Sequence, residues 1–149
     1  MSSYADLLQG LYDCGSFERG HAYLKEHAAE ITPEFIDALR ASALGLLTQE
    51  QSAPDLAKVF AELAIVAAIY RGSDHDKGMA CYCKGSILAR LEDHHKALDL
   101  LNDAEAYLRA AGSTGQLANC LYDEALCYDK LGDYGRDPHA TKRHVSGDG

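Results

Sequence analysis

Small residues recur at an interval of forty positions along this chain of 149 residues. Gly45 and Gly85 are forty apart, and so are the alanines that follow each glycine, Ala57 with Ala97 and Ala64 with Ala104. A third copy begins at Ala125 and then breaks off. Self-similarity at a fixed period of this length is typical of stacked supersecondary units. Small residues at repeated places indicate that two helices approach closely in every unit. The pattern therefore predicts a helical scaffold that binds something.

Hydrophobic residues recur at helical spacing through most of the chain, and no segment alternates as a strand would. We predict an all-α fold of about seven helices, over residues 4–14, 17–29, 33–49, 53–70, 78–91, 94–111 and 116–131, with Ser52 as the cap of the fourth and Pro54 in its first turn. Thr32 and Pro33 give a strong start signal for the third helix, and Ser113 with Gln116 suggests a capping box. Residues 71–78 are expected to form a loop or a frayed helix end. We expect one helical domain over 1–135 and a disordered tail over 136–149, where the pattern stops.

The charge balance limits the classes of partner. The formal net charge is −9, which argues against binding to the nucleic-acid backbone or to an anionic membrane surface, since both need clustered Lys and Arg. The longest apolar run, 63–70, is far too short to span a bilayer. The first residues do not have the pattern of a signal peptide. We therefore expect a cytoplasmic protein of bacterial type.

No arrangement of residues typical of catalysis or metal binding is found. The five cysteines are odd in number and follow no metal-binding spacing, so we interpret them as buried apolar residues in a reducing compartment. His94 and His95 diverge by about 100° on a helix and are interpreted as a solvated helix start. The chain lacks the common nucleophile, phosphate-loop and zinc-protease motifs. We expect no enzyme activity, cofactor or metal.

The repeated positions resemble the tetratricopeptide repeat (TPR) family. In the best unit the matching residues are a first helix with Gly85 and Leu88, a turn at Glu92-Asp93, and a second helix with Ala97, Leu101 and Ala104. The resemblance implies antiparallel helix pairs stacked into a right-handed α-solenoid. The chain departs from the family where Lys84 and Glu124 replace a large apolar residue. Its period of forty also exceeds the usual 34.

The resemblance further implies that the first helix of each pair lines a concave groove. Two tyrosines, Tyr82 and Tyr122, fall at the same repeat position there and suit contact with an extended or helical peptide. The alternative is that both tyrosines only pack between neighbouring helices and that Met79 fills the core. Helical spacing gives the candidate groove residues Leu39, Ser42, Leu46, Met79, Tyr82, Ser86, Asn119, Tyr122, Leu126 and Asp129. Cys83, Arg90, Asp123 and Lys130 lie alongside them.

The third unit is unfinished, and this has a physical consequence. The last helix of a solenoid needs a polar outer face, yet this one is apolar around much of its circumference. We expect self-association, such as a homodimer, through Leu117, Leu121, Tyr128 and Leu131. The alternative is burial of that helix against a domain missing from this chain.

These observations favour a protein–protein interaction scaffold that takes a peptide or partner helix on its concave face. One alternative is a TPR-type chaperone for secreted bacterial proteins. Another is the regulatory domain of a larger multidomain protein. The partner is a protein or peptide in each case, and neither a nucleic acid nor a membrane.

Overall fold

The computed structural model describes residues 4–48 and 53–132. Within these residues the chain forms seven α-helices and one short 3-10 turn, with no β-strand. The predicted all-α class is thus confirmed. The helices are α1 (Tyr4–Tyr12), α2 (Phe17–Glu26), α3 (Pro33–Thr48), α4 (Pro54–Arg71), α5 (Asp74–Arg90), α6 (His94–Ala111) and α7 (Thr114–Lys130), and the 3-10 turn is Ala28–Glu30.

The helices lie in two layers. Each helix from α3 onward packs against the next along the chain, and in addition α1 contacts α3, α3 contacts α5 and α5 contacts α7. The even-numbered helices lie on the other side, where α2 contacts α4. Helices that follow one another in this way alternate in direction, so α3, α5 and α7 run the same way and form one layer.

Two buried apolar clusters hold the layers together. The first joins α1 to α5 around fully buried residues such as Phe35, Ile36 and Leu63. The second lies between α5, α6 and α7 around Leu101 and Leu108. Ile65 packs against both clusters, which makes the core continuous along the stack.

The start of α5 differs from the prediction. Residues 74–77 are helical rather than part of a loop. The Ser73 hydroxyl accepts a hydrogen bond from the Asp76 N–H, and the Asp76 carboxylate accepts one from the Ser73 N–H, both at 3.1 Å. This capping box satisfies two backbone donors that the first turn would otherwise leave open, so the helix begins earlier.

The predicted capping box at Ser113 is wrong. The Ser113 side chain makes no cap hydrogen bond, and α7 begins at Thr114. Its hydroxyl is instead 2.7 Å from Nδ1 of His75. The serine therefore ties the turn between α6 and α7 to the first turn of α5. The predicted tail over 136–149 lies outside the described residues.

The two glycines that defined the repeat have different surroundings, contrary to expectation. A Cβ built on Gly85 would lie 3.0 Å from Leu101 of α6, whereas one on Gly45 would meet nothing within 4 Å. The alanines of the second helices are equivalent, since Ala57, Ala64, Ala97 and Ala104 are all fully buried. The forty-residue register thus fits α4 and α6 but not α3 and α5.

The buried small residue of α3 lies at a different offset. Ala43 is fully buried and precedes Gly85 by 42 residues, whereas the exposed Gly45 precedes it by forty. The small buried positions of α3 and α5 are therefore offset by 42 residues rather than forty.

Candidate functional site

A cavity of about 500 Å³ opens in the layer formed by α3, α5 and α7. Helix α5 forms its floor, α3 and α7 form its walls, and α6 reaches it at one end. Most of the lining is apolar. The lining residues are Arg40, Leu44, Met79, Tyr82, Cys83, Ser86, Ala89, Arg90, His94, Leu101, Asp123, Leu126, Cys127 and Lys130.

The floor of the cavity is one face of α5. Met79, Tyr82, Ser86 and Ala89 are spaced by three or four residues, which places them on the same side of a helix. Each is half-buried, and Met79, Tyr82 and Ala89 also pack against the second cluster. The floor is therefore built on a rigid element with its lower side in the core.

Tyr82 joins the floor to the α7 wall. Its hydroxyl donates a hydrogen bond to the Asp123 carboxylate, with an O–O distance of 2.6 Å. Burial, followed by this hydrogen bond, raises the pKa of Tyr82 above its ordinary value. The tyrosine remains a neutral donor at physiological pH. Its hydrogen bond is made to Asp123, the one acidic side chain of the lining.

Arg40 and Cys83 connect the α3 wall to the floor. The Arg40 guanidinium donates to Asp37 at 2.6 Å, and the Cys83 thiol lies 3.9 Å from the Arg40 carbonyl oxygen. Burial raises the pKa of Cys83 to about 11, although the Arg40 and Arg90 charges act in the opposite direction. The thiol is therefore protonated near neutrality and is unsuited to nucleophilic chemistry.

His94 is largely buried, which corrects the prediction of a solvated helix start. Its side chain is 13% exposed, and its Nε2 lies 3.2 Å from the Glu92 carboxylate. Its Nδ1 and the Nε of Arg40 are buried and have no hydrogen-bond partner among the described residues. Both side chains line the cavity, so a hydrogen-bonding potential is left unused in its walls.

Arg90 and Lys130 stand at the rim. They are the last residues of α5 and α7, and both are exposed. Neither makes an ion pair with any residue in the described ranges. Since α5 and α7 run in the same direction, the two cations lie at the same end of the layer.

Four of the ten predicted groove residues line the cavity: Met79, Tyr82, Ser86 and Leu126. The other six do not. Leu39 is fully buried in the first cluster, so its side chain does not reach the groove. Leu46 packs half-buried against the same cluster, and Ser42 is half-buried. Asn119, Tyr122 and Asp129 lie on the exposed surface of α7.

The 42-residue offset between α3 and α5 explains why other residues of α3 than those predicted line the cavity. An offset of forty from Tyr82 and Ser86 selects Ser42 and Leu46, whereas an offset of 42 selects Arg40 and Leu44. The structure places the second pair in the lining. The forty-residue spacing of the glycines concealed this offset.

Tyr82 and Tyr122 occupy the same repeat position but different environments. Tyr82 is half-buried against α7, whereas Tyr122 is 65% exposed. The difference arises because α7 covers α5, and α7 is the last helix of the described residues. Leu126, one turn after Tyr122, is 44% exposed and carries the apolar lining out of the cavity onto the α7 surface.

The residues predicted for self-association are already partly covered. Leu117, Tyr128 and Leu131 pack half-buried against the second cluster, and Leu121 is also half-buried. The most exposed large apolar side chains of α7 are instead Tyr122 and Leu126.

In the ranges 4–48 and 53–132, no three His, Cys, Asp or Glu side chains are grouped so that they could hold a metal ion. None of the helices described is both long and apolar enough to cross a bilayer. Comparison with known proteins gave no match, whether with protein-family models, curated proteins or solved structures. The resemblance to tetratricopeptide repeats therefore stays a prediction from the sequence.

Proposed function

We propose that this chain is a helical interaction module, without enzyme activity, that binds a segment of a partner polypeptide in the cavity over α5. The observation that carries the proposal is the cavity itself. It is apolar and open, and it is lined mainly by α3, α5 and α7, which lie side by side in one layer. We include in the proposal that the stack is a right-handed TPR-like solenoid, with the cavity on its concave side.

The size and lining of the cavity suit part of a peptide. A volume of about 500 Å³ lies within the range of roughly 300–1,000 Å³ for ligand pockets. It has room for a few side chains of a bound segment but not for a whole helix. Exposed Tyr122 and Leu126 extend the apolar surface beyond the mouth of the cavity, and an aromatic anchor beside a pocket is typical of peptide-binding surfaces.

Peptide selection tests the proposal. A random-peptide display library would be selected on the purified protein, and the affinity of enriched peptides would be measured by fluorescence anisotropy. Replacing Ser86 by Trp fills the cavity floor and is expected to raise the Kd at least about tenfold. Ala106→Trp is the matched control, because Ala106 is exposed on α6 and does not line the cavity. Circular dichroism checks that both variants fold.

The proposal fails if no peptide is enriched, or if enriched peptides bind folded Ser86→Trp as well as they bind the native chain. Loss of binding in Ser86→Trp with retention in Ala106→Trp supports it.

A further inference from the structure

We propose that the segment bound in this cavity is acidic, with carboxylates against Arg90 and Lys130 and an apolar side chain over the α5 floor. This inference rests on the proposed function and names the chemistry of its ligand. The occupant to which we commit is an amphipathic, negatively charged stretch of a partner polypeptide.

The charge of the lining is opposite to that of the protein. The chain carries a net charge of −9, yet the lining contains Arg40, Arg90, Lys130 and His94 and only one carboxylate, Asp123. A random selection of surface residues from an acidic chain would give an excess of carboxylates. Basic side chains gathered in a cleft attract anions and direct their approach.

The hydrogen bonds and ion pairs of the lining residues do not involve the two cations at the rim. Asp123 accepts the hydrogen bond from Tyr82 at 2.6 Å, and Arg40 is paired with Asp37. The Arg90 and Lys130 side chains make no ion pair within the described ranges. An incoming carboxylate would therefore meet two cations that need not first break an existing contact.

A second explanation of the two cations is their helix position. Basic residues in the last turn complement the helix dipole and contribute about 0.3–1 kcal/mol each. That role requires only a place near the helix end and does not require the side chain to face a cavity. It also does not apply to Arg40, in the middle of α3, or to His94, at the start of α6.

The unused hydrogen-bonding capacity points in the same direction. Arg40 Nε always carries a hydrogen and is a donor, and it has no partner among the described residues. Arg40 is also one of the lining residues, so this donor belongs to a side chain beside the space that a bound segment would fill. Carboxylate oxygens are the strongest acceptors that a polypeptide offers to such a donor.

Two synthetic peptides of one pattern test the inference. Both would have leucines at helical spacing, with the other positions glutamate in one peptide and lysine in the other, and each would carry a fluorophore for anisotropy. We expect the glutamate peptide to bind at least about tenfold more tightly than the lysine peptide, with an affinity that falls as salt is raised.

Charge-reversal variants test whether the preference for an acidic peptide arises at Arg90 and Lys130. The double variant Arg90→Glu with Lys130→Glu is expected to weaken binding of the glutamate peptide at least about tenfold. Arg19→Glu with Lys25→Glu makes the same change in net charge on α2, where both side chains are exposed and distant in sequence from the lining. This control is expected to change the affinity much less. Equal losses in the two double variants would overturn the inference, because they would show an effect of net charge alone.

The inference and the proposed function fail in different ways. If peptides enriched from the library are neutral or basic and lose affinity in Ser86→Trp, the cavity binds peptides but the acidic ligand is wrong. If neither those peptides nor the glutamate peptide responds to Ser86→Trp, both fail. Enrichment of acidic peptides that respond to Ser86→Trp and to the α5–α7 charge reversal supports both.

Discussion

Glu92 ends α5 in a left-handed backbone conformation, with φ of 68°. The Asp93 N–H bonds to the Leu88 carbonyl at 2.9 Å, which closes the α5 end as a Schellman motif. Gly132, forty residues later, has φ of 71° at the end of α7. The two positions are structurally equivalent, and glycine is the residue that adopts this conformation without a steric cost.

Replacing Glu92 by Gly is therefore expected to stabilise the fold, by roughly 0.5–1 kcal/mol. The loss of the Glu92–His94 contact offsets only part of this gain, since the Glu92 side chain is largely exposed and such contacts contribute little. Urea unfolding of the two chains measures the difference. Gly132→Ala is the control and should lower stability, because it introduces a Cβ at a positive φ. A lower midpoint for Glu92→Gly would contradict the assignment.

Glu124 is a buried carboxyl group between α6 and α7. Burial comes first among the causes that raise its pKa from the ordinary 4.5 to about 8, followed by a hydrogen bond to Glu105 and the charge of Glu105. The Cys120 thiol lies 3.8 Å from its carboxylate, and Arg109, paired with Glu105 at 2.8 Å, acts in the opposite direction. Glu124 is thus mainly protonated at neutral pH.

This raised pKa makes stability depend on pH. Below about pH 4.5 the folded and unfolded states both hold the proton, so the contribution is fully present. Between about 4.5 and 8 only the folded state holds it, so the free energy of unfolding falls as pH rises. Glu124→Gln should flatten this slope and gain on the order of 1–2 kcal/mol at about pH 8.

Urea midpoints of the native chain and Glu124→Gln across this pH range check the expectation. Glu34→Gln, at an exposed position of α3, is the control and should keep the native slope. Parallel pH profiles for the native chain and Glu124→Gln would be incompatible with a buried, protonated Glu124.

Helices α5 and α6 approach closely because glycine stands at two points of their contact. A Cβ built on Gly78 would lie 2.8 Å from Leu108, and one on Gly85 would lie 3.0 Å from Leu101. Both pairs are seven residues apart on their helices, which fits two turns of an antiparallel contact. The repeat therefore depends on close helix contact in this pair, whereas α3 has the fully buried Ala43 at 42 residues before Gly85.

Gly78→Ala should consequently lower the free energy of unfolding by about 1–3 kcal/mol, since the Leu108 Cγ and backbone leave the new methyl group no room. Gly45→Ala is the matched variant at an open helical position. It should raise the free energy of unfolding by about 0.5–1 kcal/mol through helix propensity. Thermal and urea unfolding measure both changes, and a loss of stability in Gly45→Ala would restore the original forty-residue alignment.

Lys84 and Glu124 occupy the same position of the repeat, and each interacts with a charged residue of the preceding helix. Each replaces the large apolar residue that the family resemblance implies, and each faces the preceding even-numbered helix. Lys84 forms an ion pair with Glu62 of α4, whereas Glu124 shares its hydrogen bond with Glu105 of α6. A polar residue is tolerated at this interface because the neighbouring helix supplies a partner.

The molecule as a whole presents one side of α7 without a neighbouring helix among the described residues. Tyr122 and Leu126 are the large apolar residues most exposed there, and Leu121 is half-buried beside them. We propose that a second copy covers this side, with Leu117, Leu121, Tyr128 and Leu131 at the edge of the contact. The net charge of −9 opposes association at low salt.

Light scattering after gel filtration is expected to show a mass that rises with protein concentration, more strongly at high salt. Leu121→Glu should abolish the rise. Ile69→Glu is the control, because Ile69 is 58% exposed on α4 and lies outside the proposed contact. A monomeric mass at every concentration and salt would rule out this self-association.

The sequence by itself determined the helices. It also determined that α4 and α6, the second helices of their pairs, have equivalent buried alanines. Apolar spacing and capping residues act within a few positions, so α3 and α6 begin at the predicted residues 33 and 94. The predicted cap of the fourth helix, Ser52, lies outside the described residues, and α4 begins at Pro54 after Ala53. The alanines forty apart are buried alike because α4 and α6 keep one register. Met79, Tyr82, Ser86 and Leu126, which line the cavity, were candidates from helical spacing combined with the groove that the family resemblance implies.

Only the tertiary structure decided which face of α3 meets the cavity and which charges gather there. The α3 wall contains Arg40 and Leu44 rather than Ser42 and Leu46, and spacing along a single helix does not contain that offset. His94 joined the site through the short turn that brings the start of α6 beside the end of α5. Contacts between elements depend on how the turns place whole helices, and this is the physical reason that the lining became known only from the packed fold.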